Sequence, residues 1–173
     1  MRAALIRHFP AVVAPGICYG RLDLAPGAGD VAALHHGIAT AGLDRAPIFS
    51  SPARRCRALA EALAAGREVT FDERLLELDF GDWEGVAWDD IPRANFDAWA
   101  ADVERNAPPG GESGAALRAR VAAFHAALPE DSVVVSHGGP LKLLAALLRG
   151  ETPDLLAPSP PMGALVLAPP EEA

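Results

Sequence analysis

Ser132-Val133-Val134-Val135-Ser136-His137-Gly138-Gly139-Pro140 is the stretch that decides the fold class. Three consecutive valines leave no polar residue alternating with them, so both faces of this strand must be covered, as in a parallel sheet lying between helices. The strand gives out at Ser136-His137. Gly138-Gly139-Pro140 then opens a helix, with Pro140 suited to a first turn in which its missing N–H costs nothing. At the other end of the chain, Ala3–Ile6 is a second short apolar run that stops abruptly at Arg7-His8.

Outward from these two runs, the chain alternates strand and helix signals. Phe9 to Asp30 is rich in Pro and Gly and reads as loop. Val31–Ala41 reads as helix, and Pro47–Ser51 as strand. From Arg54, the residues Cys56, Leu59, Ala60 and Leu63 fall at helical spacing until Gly66. Val69–Phe71 is a short strand. Leu76–Phe80 alternates apolar and acidic residues, as an extended segment does. A helix is expected from Asp90-Ile91-Pro92 to about Arg105, then a loop over Asn106–Gly114. Leu117, Val121, Phe124 and Leu128 form the next helical stripe, stopped by Pro129. Thr152–Pro161 reads as a Pro-rich loop, Ala164–Ala168 as a last strand and Pro169–Ala173 as a fraying tail. With no repeat and no long linker, this is one α/β layered domain.

Composition narrows the function. The 173 residues carry 23 acidic and 15 basic side chains, a net charge of −8, which argues against a general nucleic-acid binder. Lys142 is the one lysine, so an anion site here must rely on arginine. Cys18 and Cys56 are too few for a disulfide framework and lack zinc-site spacing, and they read as reduced thiols. No signal-peptide core precedes Arg7 and no apolar run is long enough to span a membrane, so a cytoplasmic protein without a membrane partner is expected.

The chemistry-bearing residues gather where strands end. In open α/β sheets, ligands collect outside the carboxyl ends of the strands, which is where Arg7-His8 and His137 fall. His137 leads into a glycine-rich helix start whose first N–H groups have no internal partner, a ready anion site. Arg54 stands at the start of another helix just after a strand. Two histidines and two arginines so placed describe a phosphate pocket that requires no metal. Each short motif is unspecific alone; their order in one chain carries the weight.

That order resembles a known family. LIRH at 5–8, FSSPARRC at 49–56, LLELDFGDWEG at 75–85, PPGGES at 108–113 and VVVSHGG at 133–139 are similar, in sequence, to the motifs of the histidine phosphatase superfamily, the phosphoglycerate mutase-like group. The likeness runs from about residue 5 to 168. APGICYGRLDL at 14–24 further resembles the α-ribazole phosphatases of cobalamin biosynthesis. The pattern departs at Phe9, where most of the superfamily carries Gly; the ribazole group often lacks that Gly too, so the departure tells against sugar-phosphate substrates.

The resemblance implies a three-layer α/β/α sandwich around a mostly parallel sheet, and a phosphomonoesterase working through a phosphohistidine without cofactor or metal. It implies His8 as the nucleophile, Arg7, Arg54 and His137 as holders of phosphoryl oxygens, and Glu77 as the acid that protonates the leaving group. Asp79, Asp82 and Glu84 are rivals for that last role, Glu84 above all. Arg21 and Asp23 resemble positions that meet the substrate in the ribazole group. The substrate it implies is a small phosphorylated metabolite, α-ribazole 5′-phosphate or the phosphorylated cobamide. A sugar or metabolite phosphatase and a protein phosphohistidine phosphatase keep the same mechanism; a non-catalytic phosphate-ester binding module is the alternative from another class.

The remaining candidates have plainer readings. His35-His36 lies on a surface helix, and His125 adjoins an apolar stripe. Trp83, Trp88 and Trp99 are candidates for lining a substrate mouth, with core or edge packing the commoner fate; Cys56 reads as core and Cys18 as a loop thiol. Arg55 and Arg57 are expected in solvent beside Arg54.

Overall fold

The computed structural model describes residues 2–169. Five strands, β1 (Arg2–Arg7), β2 (Ile48–Ser50), β3 (Val69–Phe71), β4 (Asp131–Ser136) and β5 (Leu165–Ala168), form one sheet in the order β3-β2-β4-β1-β5. The first four run parallel, and β5 pairs antiparallel to β1. Among the described residues, four helices cover it, α1 (Val31–Thr40), α2 (Arg54–Ala64), α4 (Gly114–His125) and α5 (Gly138–Leu148), while α3 (Arg93–Ala101) packs away from the sheet. The expected sandwich is present. Ala4, Ile6, Val133 and Val135 pack on one face with Leu34 and Ile38 of α1 and Leu59 and Leu63 of α2. Ala3, Leu5 and Val134 pack on the other with Leu117, Val121 and Phe124 of α4 and Leu141 and Leu144 of α5. The valine run feeds both cores at once, which is why it shows no polar alternation.

Several boundaries differ from the sequence reading for local reasons. α3 stops at Ala101 instead of Arg105, because the Asp102 carboxylate accepts the N–H of Arg105 at 3.1 Å and gives the backbone a turn in place of a helix. α4 begins at Gly114, where the Ser113 hydroxyl accepts the N–H of Ala116. The tail beyond Pro169 lies outside the described residues.

The alternating segment Leu76–Phe80 joins no sheet. Carboxylates take the place of a neighbouring strand, accepting N–H groups of Leu78 (from Glu77, 3.0 Å), Phe80 (from Glu84, 3.0 Å) and Gly81 (from Asp79, 2.8 Å). Its alternation therefore serves side-chain pairing and not a ladder. A third apolar cluster of Cys18, Trp83 and Ile91, flanked by Phe80, Phe96 and Trp99, ties the long first loop to this region. Cys18, read as a loop thiol, is thus a fully buried one. Among the described residues, no helix is long and apolar enough to cross a membrane.

Candidate active site

Parallel pairing sets Arg7 of β1 opposite Ser136 of β4 and Ser50 of β2 opposite Val135. The next residue of each strand therefore emerges at the same carboxyl edge: His8, His137 and Ser51. The two imidazoles meet edge to face with centroids 5.1 Å apart, and both are buried.

Hydrogen bonds fix the state of each ring. His8 Nδ1 donates to the Phe9 carbonyl at 2.6 Å, which leaves the lone pair on Nε2. Burial pulls its pKa down to about 4, and the cations Arg55 and Arg7 act in the same direction against the Phe9 hydrogen bond. At neutral pH His8 is an uncharged imidazole whose Nε2 carries no proton. His137 caps the start of α5; its Nδ1 accepts from Arg55 Nη2 at 3.1 Å, so its Nε2–H donates to Ser51 Oγ at 2.8 Å. Burial, and then the charge of Arg55, hold its pKa well below the usual histidine range.

The arginine that joins the two rings is Arg55, not Arg54. Arg55, expected in solvent, is 1% exposed and donates from Nε to His8 Nε2 at 3.2 Å. Its other donors reach the carbonyls of Leu22 (2.9 Å) and Gly20 (2.6 Å). Arg54, expected on phosphate, is exposed, and its backbone N–H donates to Asp23 Oδ1 at 2.9 Å. The reason is helical register. Arg55 precedes Leu59 by four residues and Cys56 by one, on the flank of the buried stripe, while Arg54 falls on the opposite side. The stripe in the sequence already carried that signal. Arg57 is half-exposed, lying over the Phe71 ring as expected of a surface residue.

Arg7 stays at the site. One of its Nη groups donates to the Pro160 carbonyl at 2.8 Å, and its buried Nε has no partner among the described residues. Asp23 caps the start of α2, and Arg21 lies beside Glu77, donating from Nε to its carbonyl at 2.9 Å.

Glu77 and Glu84 are separated by their partners. Glu77 Oε2 accepts the N–H of Gly139 in the first turn of α5 at 3.2 Å, so the carboxyl lies beside the His137 turn. Gly139 permits this, since a Cβ there would run into Glu77 Oε1. Glu77 also borders a cavity of about 240 Å³ lined by Tyr19, Leu78, Phe80, Trp99, Leu117, Lys142 and Leu155. Glu84 is committed elsewhere: its two oxygens accept N–H groups of Gly20, Arg21, Leu22 and Phe80 at 2.8–3.1 Å. It anchors the turn whose carbonyls hold Arg55. Asp79 is occupied by the Gly81 N–H and Asp82 is exposed. Of the three tryptophans, Trp99 lines the cavity, Trp83 is core and Trp88 is partly exposed. Among the described residues no three His, Cys, Asp or Glu side chains cluster as metal ligands.

Known proteins carry the same arrangement of elements. The structure of the alpha-ribazole phosphatase from Shigella flexneri is similar over 96% of this chain and 89% of that one, with 28% identity and a TM-score of 0.82. Phosphoserine phosphatase 1 of Hydrogenobacter thermophilus is 31% identical over 113 residues, 60% of this chain and 54% of that protein. The 2,3-bisphosphoglycerate-dependent phosphoglycerate mutase of Methylorubrum populi is 34% identical over 124 residues, 63% and 58% of the two chains. The chain thus spans little more than half the length of the curated relatives it matches. The profile of the histidine phosphatase superfamily (branch 1) covers residues 19–161, from the turn that holds Arg55 to the carbonyls beside Arg7. With that profile spanning most of its length, this chain belongs to the histidine phosphatase superfamily.

Proposed function

We propose that this phosphatase is a metal-independent phosphomonoesterase that works through phosphate carried on His8. The observation that carries the reading is Arg55: a buried guanidinium whose partners are two carbonyls and two imidazoles, all neutral. A buried charge without a counter-charge is costly, and a phosphate dianion supplies one. The unpartnered Nε of Arg7 is a second donor to the same anion.

The steps follow from the groups present. Arg55 passes its Nε–H from His8 to a phosphoryl oxygen, which frees the Nε2 lone pair to attack phosphorus in line. Arg7 and Arg55 stabilise the equatorial oxygens as charge builds there, with His137, its Nε2–H held by Ser51, orienting Arg55 through Nδ1. The P–O bond to the ester breaks as Glu77 gives its proton to the departing alcohol. Water then attacks the phosphohistidine, losing a proton to the Glu77 carboxylate, and inorganic phosphate leaves with both groups restored.

The substrate we infer is α-ribazole 5′-phosphate or the phosphorylated cobamide. Two things support it: the likeness to the Shigella protein over nearly all of both chains, and the cavity beside Glu77, whose aromatic and aliphatic lining suits a leaving group bearing a flat apolar ring. The second reading, phosphoserine, has the 31% identity to the Hydrogenobacter enzyme behind it.

A panel of α-ribazole 5′-phosphate, phosphoserine, sugar phosphates and nitrophenyl phosphate decides the substrate by kcat/KM. Quenching a turnover mixture in alkali and mapping phosphate by mass spectrometry tests the intermediate. Phosphate on His8 is the expected result, and His8→Ala should fold normally and lose turnover. Near-wild-type hydrolysis by His8→Ala would remove His8 as nucleophile; binding without turnover of any ester would leave a binding module.

A further inference from the structure

Glu77 sits on a segment without a strand partner, so something else must hold it at the distance proton transfer requires. Arg120 of α4 does this with all five of its N–H donors. Two form a fork on Glu112, Nε to Oε1 at 2.7 Å and Nη2 to Oε2 at 2.9 Å. The other three reach main-chain carbonyls: Arg74 at 2.7 Å, Leu76 at 2.6 Å and Glu77 itself at 3.0 Å. The Glu77 carbonyl is held from a second side by Arg21 Nε, and Glu112 returns its own N–H to the Asp79 carbonyl at 2.9 Å. The Arg120 and Glu112 side chains are only 16% and 13% exposed.

We propose that Arg120 and Glu112 are positioning residues for Glu77, fixing the main chain from which its carboxyl reaches the leaving oxygen. The proposal rests on Glu77 being the acid. A lysine at 120 brings one ammonium with three donors, which cannot fork Glu112 and also span three carbonyls. Glu112 keeps the guanidinium aimed at those carbonyls, so loss of either partner lets the Glu77 backbone drift. A displacement of about 1 Å in catalytic geometry costs up to roughly a hundredfold in rate.

The test compares kcat on an alkyl phosphate and on nitrophenyl phosphate for Arg120→Lys, Glu112→Gln and Glu77→Gln, singly and in pairs with Glu77→Gln. Arg120→Lys and Glu112→Gln should each lower kcat on the alkyl ester about tenfold or more, with little change on nitrophenyl phosphate or in KM. Both losses should vanish in the Glu77→Gln background, because the group they position is then gone. Equal losses on both esters, or losses that add to that of Glu77→Gln, would mark the pair as structural and overturn the proposal. If Glu77→Gln itself is indifferent to the leaving group, the acid assignment fails first. If Arg120→Lys does not fold, Glu112→Gln, which keeps an acceptor, makes the same comparison.

Discussion

Arg55 donates from Nε to Nε2 of His8 at 3.2 Å, so the residue that orients the imidazole also covers its lone pair until an anion arrives. Substrate phosphate must displace this contact, and the guanidinium then turns from occupant to clamp. Arg55→Ala should cost about a hundred- to a thousandfold in kcat, the usual scale for losing a donor to a charged transition state. Arg54→Ala, with its side chain in solvent, should hydrolyse nitrophenyl phosphate close to the wild-type rate. Steady-state kinetics of the two variants side by side distinguishes adjacent arginines; a reversed order would return the phosphate role to Arg54.

Glu77→Gln and Glu84→Gln should fail differently. An alkyl alcohol needs its oxygen protonated as the P–O bond breaks, whereas nitrophenolate leaves as the anion. Losing a general acid worth about a hundred- to ten-thousandfold should therefore show on alkyl esters and be partly hidden on nitrophenyl phosphate. Glu84→Gln loosens the turn at Gly20–Leu22 that holds Arg55, and so should slow both esters alike and lower thermal stability. Leaving-group dependence in Glu84→Gln alone would move the acid there.

Stability should rise with pH between about 4 and 6.5. His8 has a folded pKa of about 4 against an ordinary value of 6.5, so in that window the unfolded chain binds a proton that the folded chain refuses. The contribution, roughly 3 kcal/mol, is complete above the unfolded pKa and is lost as pH falls to the folded one. His137 is shifted in the same direction by burial and adds with the same sign. Urea unfolding of wild type and His8→Ala at pH 4.5 and 7.5 isolates the effect, since carboxylates titrate in both proteins. An unchanged pH slope in His8→Ala would mean that His8 is not held neutral.

Chelation should leave turnover intact. The proposed chemistry needs only imidazole, guanidinium and carboxyl groups, so dialysis against EDTA should not change kcat. Activity lost on chelation and restored by a divalent ion would require a different mechanism.

The sheet, its order of strands and helices and the placing of His8 and His137 at strand ends were readable because each follows from strong local patterns, valine runs and a glycine-rich helix start, whereas Glu77 was marked only by the resemblance. Register was the weak point. Arg54 is the first arginine after the strand, but the buried stripe through Cys56 and Leu59 takes Arg55 as its inward neighbour. Arg120 escaped for a related reason: it stands three residues after Leu117 and four before Phe124, on the inward stripe, where a charge signals a buried partner. Glu112 lay inside the quoted PPGGES motif with no local pattern to mark its role. The alternation of Leu76–Phe80 marks an extended backbone, which side chains and strands satisfy equally well, and only tertiary contacts reveal which does so.

The sheet order also dictates when this protein can be finished. β1 pairs only with β4 and β5, and its first residue lies 129 positions before its partner Asp131. Ala3 to Ile6, fully buried in the native molecule, have no strand to dock against until most of the polypeptide has been made. β1, made well before β4, therefore settles only after it, and His8 is placed with it. Such long-range closure makes folding slow and leaves a sticky apolar run waiting in the meantime. A nascent chain halted before residue 131 holds β1, β2, β3 and the first four helices, yet without β4 it has neither His137 nor the strand that sets His8 in place.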